Sequence, residues 1–276
     1  MTAPSTRPAI SVEAVGFVYP DGTRALADVT LAIPAGQRVA IIGQNGSGKS
    51  TLVRQLNGLL SPTEGRVLVD GRDAKGRHVA DLAATVGLAF QNPDRQIFAG
   101  RVRREVEFGP RNLGLRGHAL DEAVSAALAA VGLSDQTEAN PYDLGYSRRK
   151  LLAMASVLAM RTPIVALDEP TTGQDARGVE RVQSIVGSLV ADGRTVLAIS
   201  HDMRFVAETF ERVVVLRAGR LVLDGTPWEV FDAPNWPLLA STFLEPPVAA
   251  RVGANLGLGS TPTTSALIAA LRVRGA

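Results

Sequence analysis

The chain has 276 residues, 46% apolar and 20% charged, a globular balance rather than a disordered one, and long enough for one large or two small domains at about 150 residues each. Its 29 Lys and Arg against 27 Asp and Glu leave a net charge of +2, too weak to mark a nucleic-acid or anionic-membrane surface. The absence of cysteine excludes disulfide scaffolds, thiolate metal sites and cysteine nucleophiles.

The first ninety residues read mostly as strands. Residues 10–19 carry alternating apolar side chains up to the turn Pro20-Asp21-Gly22, and residues 25–33 form a second run closed by Pro34-Ala35-Gly36. Residues 38–42 (RVAII) are a short buried-type strand that runs directly into glycines and a helix over 49–56. A hairpin-like stretch at 65–70 and a strand at 85–90 complete this half. From 91 to 161 the character is helical. An alanine-rich helix is expected over 121–131, with Asp121 and Glu122 in its first turn where the helix dipole favours them. A second, over 148–160, is apolar on most faces and therefore buried.

The best membrane-span candidate, 151–160, stops at Arg161, short of the roughly 20 apolar residues a span needs. The first ten residues lack the apolar core of a signal peptide. A soluble, cytoplasmic protein that meets a membrane only through a partner is expected. After Thr162-Pro163 come a strand at 164–168, a helix at 176–190 and a strand at 195–200. This βαβ grammar implies a parallel sheet with helices on both faces. Strands at 212–216 and 220–223 flank Gly219. Beyond Asn235 the chain is rich in Pro, Gly, Ala and Ser, with one helix over 264–271. The expectation is an α/β core over 8–235, interrupted by a helical insertion at about 92–162, and a C-terminal extension over 236–276.

Gly43-Gln44-Asn45-Gly46-Ser47-Gly48-Lys49-Ser50-Thr51 fits G-x-x-x-x-G-K-[ST] between a strand and a helix. Such glycines let backbone N–H groups close around phosphate oxygens at the positive end of the helix. Lys49 then reaches the β- and γ-phosphates of ATP, and the Ser50 hydroxyl holds Mg²⁺. A second magnesium anchor is due at the end of a neighbouring strand, and Ile164-Val165-Ala166-Leu167-Asp168-Glu169 supplies it. Asp168 is assigned to Mg²⁺ and Glu169 to the attacking water, as polarising base. His201 follows the strand TVLAIS and so lies toward the same edge of the sheet, with Asp202 beside it. His78 and His118 sit in turn-like surroundings and are assigned no role.

The order of these motifs resembles the nucleotide-binding subunit of ABC transporters, over roughly residues 8–232. That implies a P-loop ATPase of α/β class with an N-terminal antiparallel β lobe and an inserted helical lobe. The resemblance places Tyr19 where the family stacks adenine; the competing reading is a strand aromatic in the core. It places Gln91, in AFQNPDRQIF, at the Q-loop glutamine that senses magnesium. Asp175 falls at the D-loop residue that reaches across a dimer, and His201 at the switch histidine that contacts the γ-phosphate.

A narrower resemblance is to the energy-coupling factor importers of vitamins and transition-metal ions. It rests on FVYPDGTRAL, on QNPDRQIFAGRVRREVEFGPRNLGL and, weakly, on the tail beyond Pro246. It implies a transmembrane coupling subunit, a substrate-binding membrane subunit and a place on the cytoplasmic face of the cell membrane. It also implies a groove for coupling helices, to which Phe98, Val102, Val106 and Phe108 either contribute apolar contact or instead pack the helical lobe. The C-terminal extension is implied to help ATPase subunits pair.

One departure stands out. Where the family has L-S-G-G-Q, this chain has Leu144-Gly145-Tyr146-Ser147-Arg148. Gly145 lacks the phosphate-gripping hydroxyl, and Tyr146 and Ser147 replace residues that allow close backbone approach. Ser147, displaced by two positions, and the charge of Arg148 are the available substitutes. A heterodimer with a second ATPase subunit is therefore favoured over a homodimer. The competing readings are a soluble ABC ATPase in repair, translation or regulation, and a GTPase or small-molecule kinase, for which no N-K-x-D element is present.

Overall fold

Strands that are apolar at every position must be covered on both faces. The computed structural model, which describes residues 8–275, shows two different coverings. Strands β1 (Pro8–Val18) and β2 (Arg24–Pro34) pair antiparallel across a turn in which the Tyr19 amide donates to the Thr23 carbonyl at 2.9 Å. Strand β3 (Arg38–Ile42) runs through the phosphate loop into helix α1 (Lys49–Leu56). Strands β4 (Glu64–Val69) and β5 (Arg72–Asp73) complete a four-stranded antiparallel sheet of order β2-β1-β4-β5.

Helix α2 (Val79–Ala83) and strand β6 (Val86–Ala89) lead to the helical lobe, which comprises α3 (Val102–Asn112), α4 (Gly117–Val131) and α5 (Tyr146–Ala159). Then follow β7 (Ile164–Asp168), α6 (Ala176–Ala191), β8 (Thr195–Ile199), α7 (Met203–Thr209), β9 (Arg212–Arg217) and β10 (Arg220–Gly225). The second sheet has the order β10-β9-β3-β8-β7-β6, parallel except for the hairpin to β10. Helices α8 (Pro227–Val230), α9 (Trp236–Ala240), α10 (Val248–Asn255) and α11 (Thr264–Arg274) end the described chain.

Period-two alternation sorts the side chains of this sheet. Ala40, Ile42, Val165, Leu167, Val196, Ala198, Val213 and Val215 share one core with the helical lobe, α6 and α7. Val39, Ile41, Ile164, Ala166, Leu197, Ile199, Val214 and Leu216 share another with α1 and the antiparallel sheet. Helices thus lie on both faces, but on the second face only α1 and Leu82 of α2 do so, beside the antiparallel β lobe. An eight-residue helix is about 12 Å long, whereas a six-stranded sheet is roughly 24 Å wide, so α1 leaves most of that face to the β lobe.

Two helix starts also differ from expectation. Helix α4 begins at Gly117, so Asp121 and Glu122 lie beyond the first turn, where Asp121 pairs with Arg103 of α3 and Glu122 with Arg161 at 3.7 Å. Their service is to ion pairs with α3 and with the turn after α5 rather than to the dipole. Helix α5 begins at Tyr146 instead of 148 and is buried continuously from Lys150 to Ala159, as its composition predicts. Beyond 235 the chain does not leave the core: Leu239, Leu244 and Ala250 are buried in the same core that the parallel sheet shares with α6 and α7.

Candidate functional site

The loop between β3 and α1 is shaped by close backbone approach. A Cβ at Gly43 would lie 2.2 Å from the Leu216 carbonyl oxygen, and one at Gly48 (φ +102°) would lie 2.5 Å from that of Ala25. Neither position tolerates a side chain. Helix α1 has no side-chain cap and no acid in its first turn, so its N-terminal amides and dipole are left to an anion. Lys49 is buried, and its Nζ donates to the carbonyls of Gly43 at 2.7 Å and Gln44 at 2.8 Å. Burial pulls its ammonium below the usual lysine range, against the opposing fields of Glu169 and Asp168. The Ser47 hydroxyl is buried without a partner among the described residues.

At the end of β7, Asp168 and Glu169 are both buried, and burial raises both carboxyls above their usual values. A hydrogen bond from Ser50 opposes the rise at Asp168. At Glu169 the opposing influence is His201. Glu169 takes a left-handed backbone conformation (φ +53°), and its amide donates to the Ile199 carbonyl at 2.9 Å. Such a conformation costs about 1–3 kcal/mol outside glycine. Here the hydrogen bond to β8 and the histidine hold it. His201 Nδ1 is 2.6 Å from Glu169 Oε2, and the His201 amide donates to the same oxygen at 3.3 Å.

These residues line one cleft of about 240 Å³. Its walls are Asn45, Gly46, Ser47, Gly48, Lys49, Ser50, Thr51, Gln91, Asp168, Glu169 and Ile199. Gln91, exposed just after β6, is thus brought to the phosphate loop, and His201 reaches the cleft through Glu169. Gly43 and Gln44 serve it indirectly, by holding Lys49. Tyr19 stands outside the lining. Its hydroxyl shares a hydrogen bond with Thr51 Oγ1 at 2.9 Å, and its ring meets Phe17 edge-on at 4.9 Å.

Among the described residues no three His, Cys, Asp or Glu side chains cluster as a metal cage. Of the oxygen-bearing side chains at the cleft, the Ser50 hydroxyl, the Asp168 carboxylate and the Gln91 amide are the three assigned to a cation. So sparse a set suits Mg²⁺, which keeps waters and phosphate oxygens as its other ligands.

The loop 144–148 lies elsewhere and is fastened within the chain. Leu144 is buried and Gly145 caps α5. The Ser147 hydroxyl donates to Gln174 Oε1 at 2.7 Å, and Gln174 Nε2 donates back to the Ser147 carbonyl at 3.1 Å. The Tyr146 ring lies over Gly173, where an added Cβ would come within 2.9 Å of it. Arg148 is exposed. The Asp175 carboxylate caps α6 by accepting from the Gly178 amide at 2.8 Å, and Asp202 caps α7 in the same way.

Sequence reading assigns no individual role to Gly173 and Gln174, which lie in the run from Asp168 to Asp175, or to Lys150. Lys150 is 3% exposed, and its ammonium has no hydrogen-bond partner among the described residues. Burial pushes it down to about 8, opposed by the fields of Glu169 and Asp168. Its place at the junction of the basic run Arg148-Arg149 with the apolar run 151–160 was the available signal. The four apolar candidates after Gln91 divide. Val102 and Val106 are fully buried in the lobe's core, whereas Phe98 and Phe108 are 59% and 50% exposed.

The family model described as ABC transporter matches residues 26–172. The energy-coupling factor transporter ATP-binding protein EcfA of Methanothermobacter thermautotrophicus is 42% identical over 224 residues, 80% of this chain and 72% of that one. EcfA2 of Symbiobacterium thermophilum is 43% identical over 229 residues, 80% of each. Two longer relatives are spanned over only 41% and 43% of their own length. Among solved structures, cbiO1 from Clostridium perfringens, described as part of the ABC transporter complex cbiONQ, superposes with a TM-score of 0.76. It is 31% identical and is matched over 91% of this chain and 99% of that one.

Proposed function

Since the chain belongs to the ABC transporter family, we propose that it is the ATP-hydrolysing subunit of a membrane importer of the energy-coupling factor type, taking up a vitamin or a transition-metal ion. The observation that carries the chemistry is the convergence of residues 45–51, Gln91, Asp168 and Glu169 on one cleft, with His201 bonded to the glutamate. The similarity to proteins named EcfA and EcfA2 supports the importer over a soluble ABC ATPase.

The loop amides and Lys49 bind the phosphates of ATP. Ser50, Asp168 and Gln91 would hold Mg²⁺, which when bound offsets the negative charge on the phosphates. Glu169 orients the attacking water and takes its proton, while His201 fixes the carboxylate that does so. Tyr19, tied to Thr51, stands beside the loop to stack on adenine.

The membrane subunits supply transport, since no helix among the described residues is long and apolar enough to cross a membrane. This subunit sits peripherally on the cytoplasmic face, with Phe98 and Phe108 facing a transmembrane coupling subunit and a further membrane subunit binding the substrate. Residues 236–276 pair ATPase subunits. Helix α11 buries none of its own residues and exposes Ile268, Leu271 and Val273, which supports that role. Its partner is a second, different ATPase subunit. The Ser147 hydroxyl, the available substitute for the missing serine of the 144–148 loop, is committed to Gln174, so two copies of this chain would place two poor loops over two good phosphate sites.

Purification from membranes, with identification of the co-purifying subunits, tests this reading. A multi-spanning protein and a second ATPase subunit are expected. Recovery of the chain free of any membrane protein, with full ATPase activity, would overturn it.

A further inference from the structure

The nucleotide cleft is not the roomiest cavity of this chain. A groove of about 640 Å³ lies between α4, α6 and the turns that precede β7 and β8, against about 240 Å³ for the phosphate-loop cleft. The two occupy opposite edges of the parallel sheet. Asp168 and His201 stand at or just beyond the carboxyl ends of β7 and β8, whereas Arg161 and Arg194 stand just before their amino ends. Five residues at about 3.3 Å each put those edges roughly 16 Å apart, so the groove is separate from the nucleotide cleft.

Its walls are aliphatic. They combine Ala123, Ala127 and Ala130 of α4 with Leu158 of α5 and with Ile185 and Leu189 of α6. Packed helices ordinarily fill one another's grooves with larger side chains. Here α4 offers only methyl groups toward that space, and it stays open. No aromatic ring lines it, so nothing there stacks on a nucleobase.

The charges gather at the strand end. Strands β7 and β8 pair with Ile164 opposite Thr195, which brings Arg161 and Arg194 together. Arg161 holds a left-handed backbone (φ +53°), uncommon outside glycine. Its guanidinium reaches Glu122, which is outside the lining, at 3.7 Å. Arg194 is partly buried and makes no ion pair or side-chain hydrogen bond among the described residues. Burial pulls its guanidinium below the usual range; Asp192 opposes that fall and Arg161 adds to it. The Ser188 hydroxyl donates to the Ser184 carbonyl at 3.0 Å, which leaves Arg194 as the strongest free donor in the groove. Two guanidiniums against the one carboxylate of Asp192 leave the lining with an excess of positive charge.

We propose that this groove is a binding site for an aliphatic carboxylate, with its chain between α4 and α6 and its head on Arg194. A guanidinium fork matches the two oxygens of a carboxylate. The methyl and leucine walls gain by removing an alkyl chain from water. The volume falls within the roughly 300–1,000 Å³ of small-molecule sites. A bare inorganic anion would meet the arginines and leave the groove unfilled.

Isothermal titration calorimetry of the full-length chain with decanoate is the experiment. Saturable binding of one decanoate per chain is expected, with decanol at least about tenfold weaker because it lacks the charge. R194Q should weaken decanoate by at least about tenfold. S184W, at an exposed position of the wall, should fill the groove and abolish binding. Both variants should keep the thermal midpoint and ATPase rate of the parent chain. Absence of saturable decanoate binding to the parent overturns the proposal whatever the variants do. So does equal affinity for decanol, or decanoate binding that survives either variant unchanged. If the parent binds no decanoate and S184W dissociates a dimer in sedimentation, the groove belongs to a second copy of this chain. If the parent binds no decanoate and R194Q abolishes flotation on phosphatidylglycerol vesicles, the arginines serve a bilayer. Either result replaces the carboxylate with another occupant and overturns the assignment.

Discussion

His201 offers two groups to one oxygen of Glu169: its Nδ1 at 2.6 Å and its own amide at 3.3 Å. The carboxylate is thereby aimed by a residue 32 positions away, on the loop after the adjacent strand. Glu169→Gln should leave ATP binding intact, abolish turnover and trap a nucleotide-sandwiched dimer, read by size-exclusion chromatography with ATP. Wild-type turnover by the Gln variant would remove Glu169 from the role of base.

The acid limb of the ATPase pH profile follows from the same pair. Glu169 must be ionised to accept a proton, and burial raises its carboxyl while His201 lowers it. The limb should therefore lie above the usual carboxylate range, and His201→Ala should move it to higher pH still. A limb unmoved by His201→Ala would detach the histidine from the titration.

Asp168 makes a prediction about stability. Its carboxyl is raised in the folded protein, chiefly by burial, so the fold holds this proton more tightly than the unfolded chain does. The contribution to stability is full below the unfolded pKa and is lost as pH rises through the folded one. Asp168→Asn should thus raise the melting midpoint of the nucleotide-free, Mg²⁺-free protein at pH 8 and raise it less at pH 4. An equal or lower midpoint at pH 8 would contradict the burial argument.

What was legible in the sequence divides along physical lines. The central strands and the phosphate loop could be read because their determinants are local: period-two apolar runs and a fixed spacing of glycines. Helix α3 went unread because Gly109 and Pro110 sit inside it, and both discourage a helical assignment. Its facing was nonetheless encoded. Val102 and Val106 are one turn apart and share a buried face, while Phe108, two residues on, is about 200° round the helix and exposed. The cleft was read almost whole, since its members lie in one phosphate-loop motif or at the ends of strands β6, β7 and β8. The Ser147–Gln174 bond joins residues 27 apart through tertiary packing, which no local pattern announces.

Lys49→Ala should weaken ATP binding about ten- to hundredfold, the equivalent of a charge-assisted hydrogen bond worth roughly 1.5–3 kcal/mol. Fluorescent-nucleotide titration measures it. Unchanged affinity would mean that Lys49 serves only to brace the carbonyls of Gly43 and Gln44.

Tyr19→Ala should weaken nucleoside triphosphates to different degrees, whereas Tyr19→Phe keeps the ring and loses only the bond to Thr51. The Phe variant should therefore bind ATP normally while losing about 0.5–1.5 kcal/mol of stability. Equal ATP affinity in all three proteins would place Tyr19 in a purely structural role.

The altered loop predicts slow turnover by the isolated chain. Each missing phosphate contact costs on the order of 1.5–3 kcal/mol, about ten- to hundredfold in rate. Restoring L-S-G-G-Q at 144–148 should raise the rate of the purified chain. Fast turnover that survives Ser147→Ala and Arg148→Ala would show that two copies of this chain work together unaided.

The reciprocal bonds between Ser147 and Gln174, with Tyr146 laid over Gly173, make these substitutions dependent on one another. Glycine at 147 would leave the partly buried Gln174 amide without the hydroxyl it now accepts from, and a side chain at 173 would collide with the ring. A history of single changes through this region would have passed through worse intermediates, unless the glutamine and the serine arrived close together. Repair by design inherits the same ruggedness: the loop and residue 174 have to be altered as a set, and their separate effects on turnover will not add.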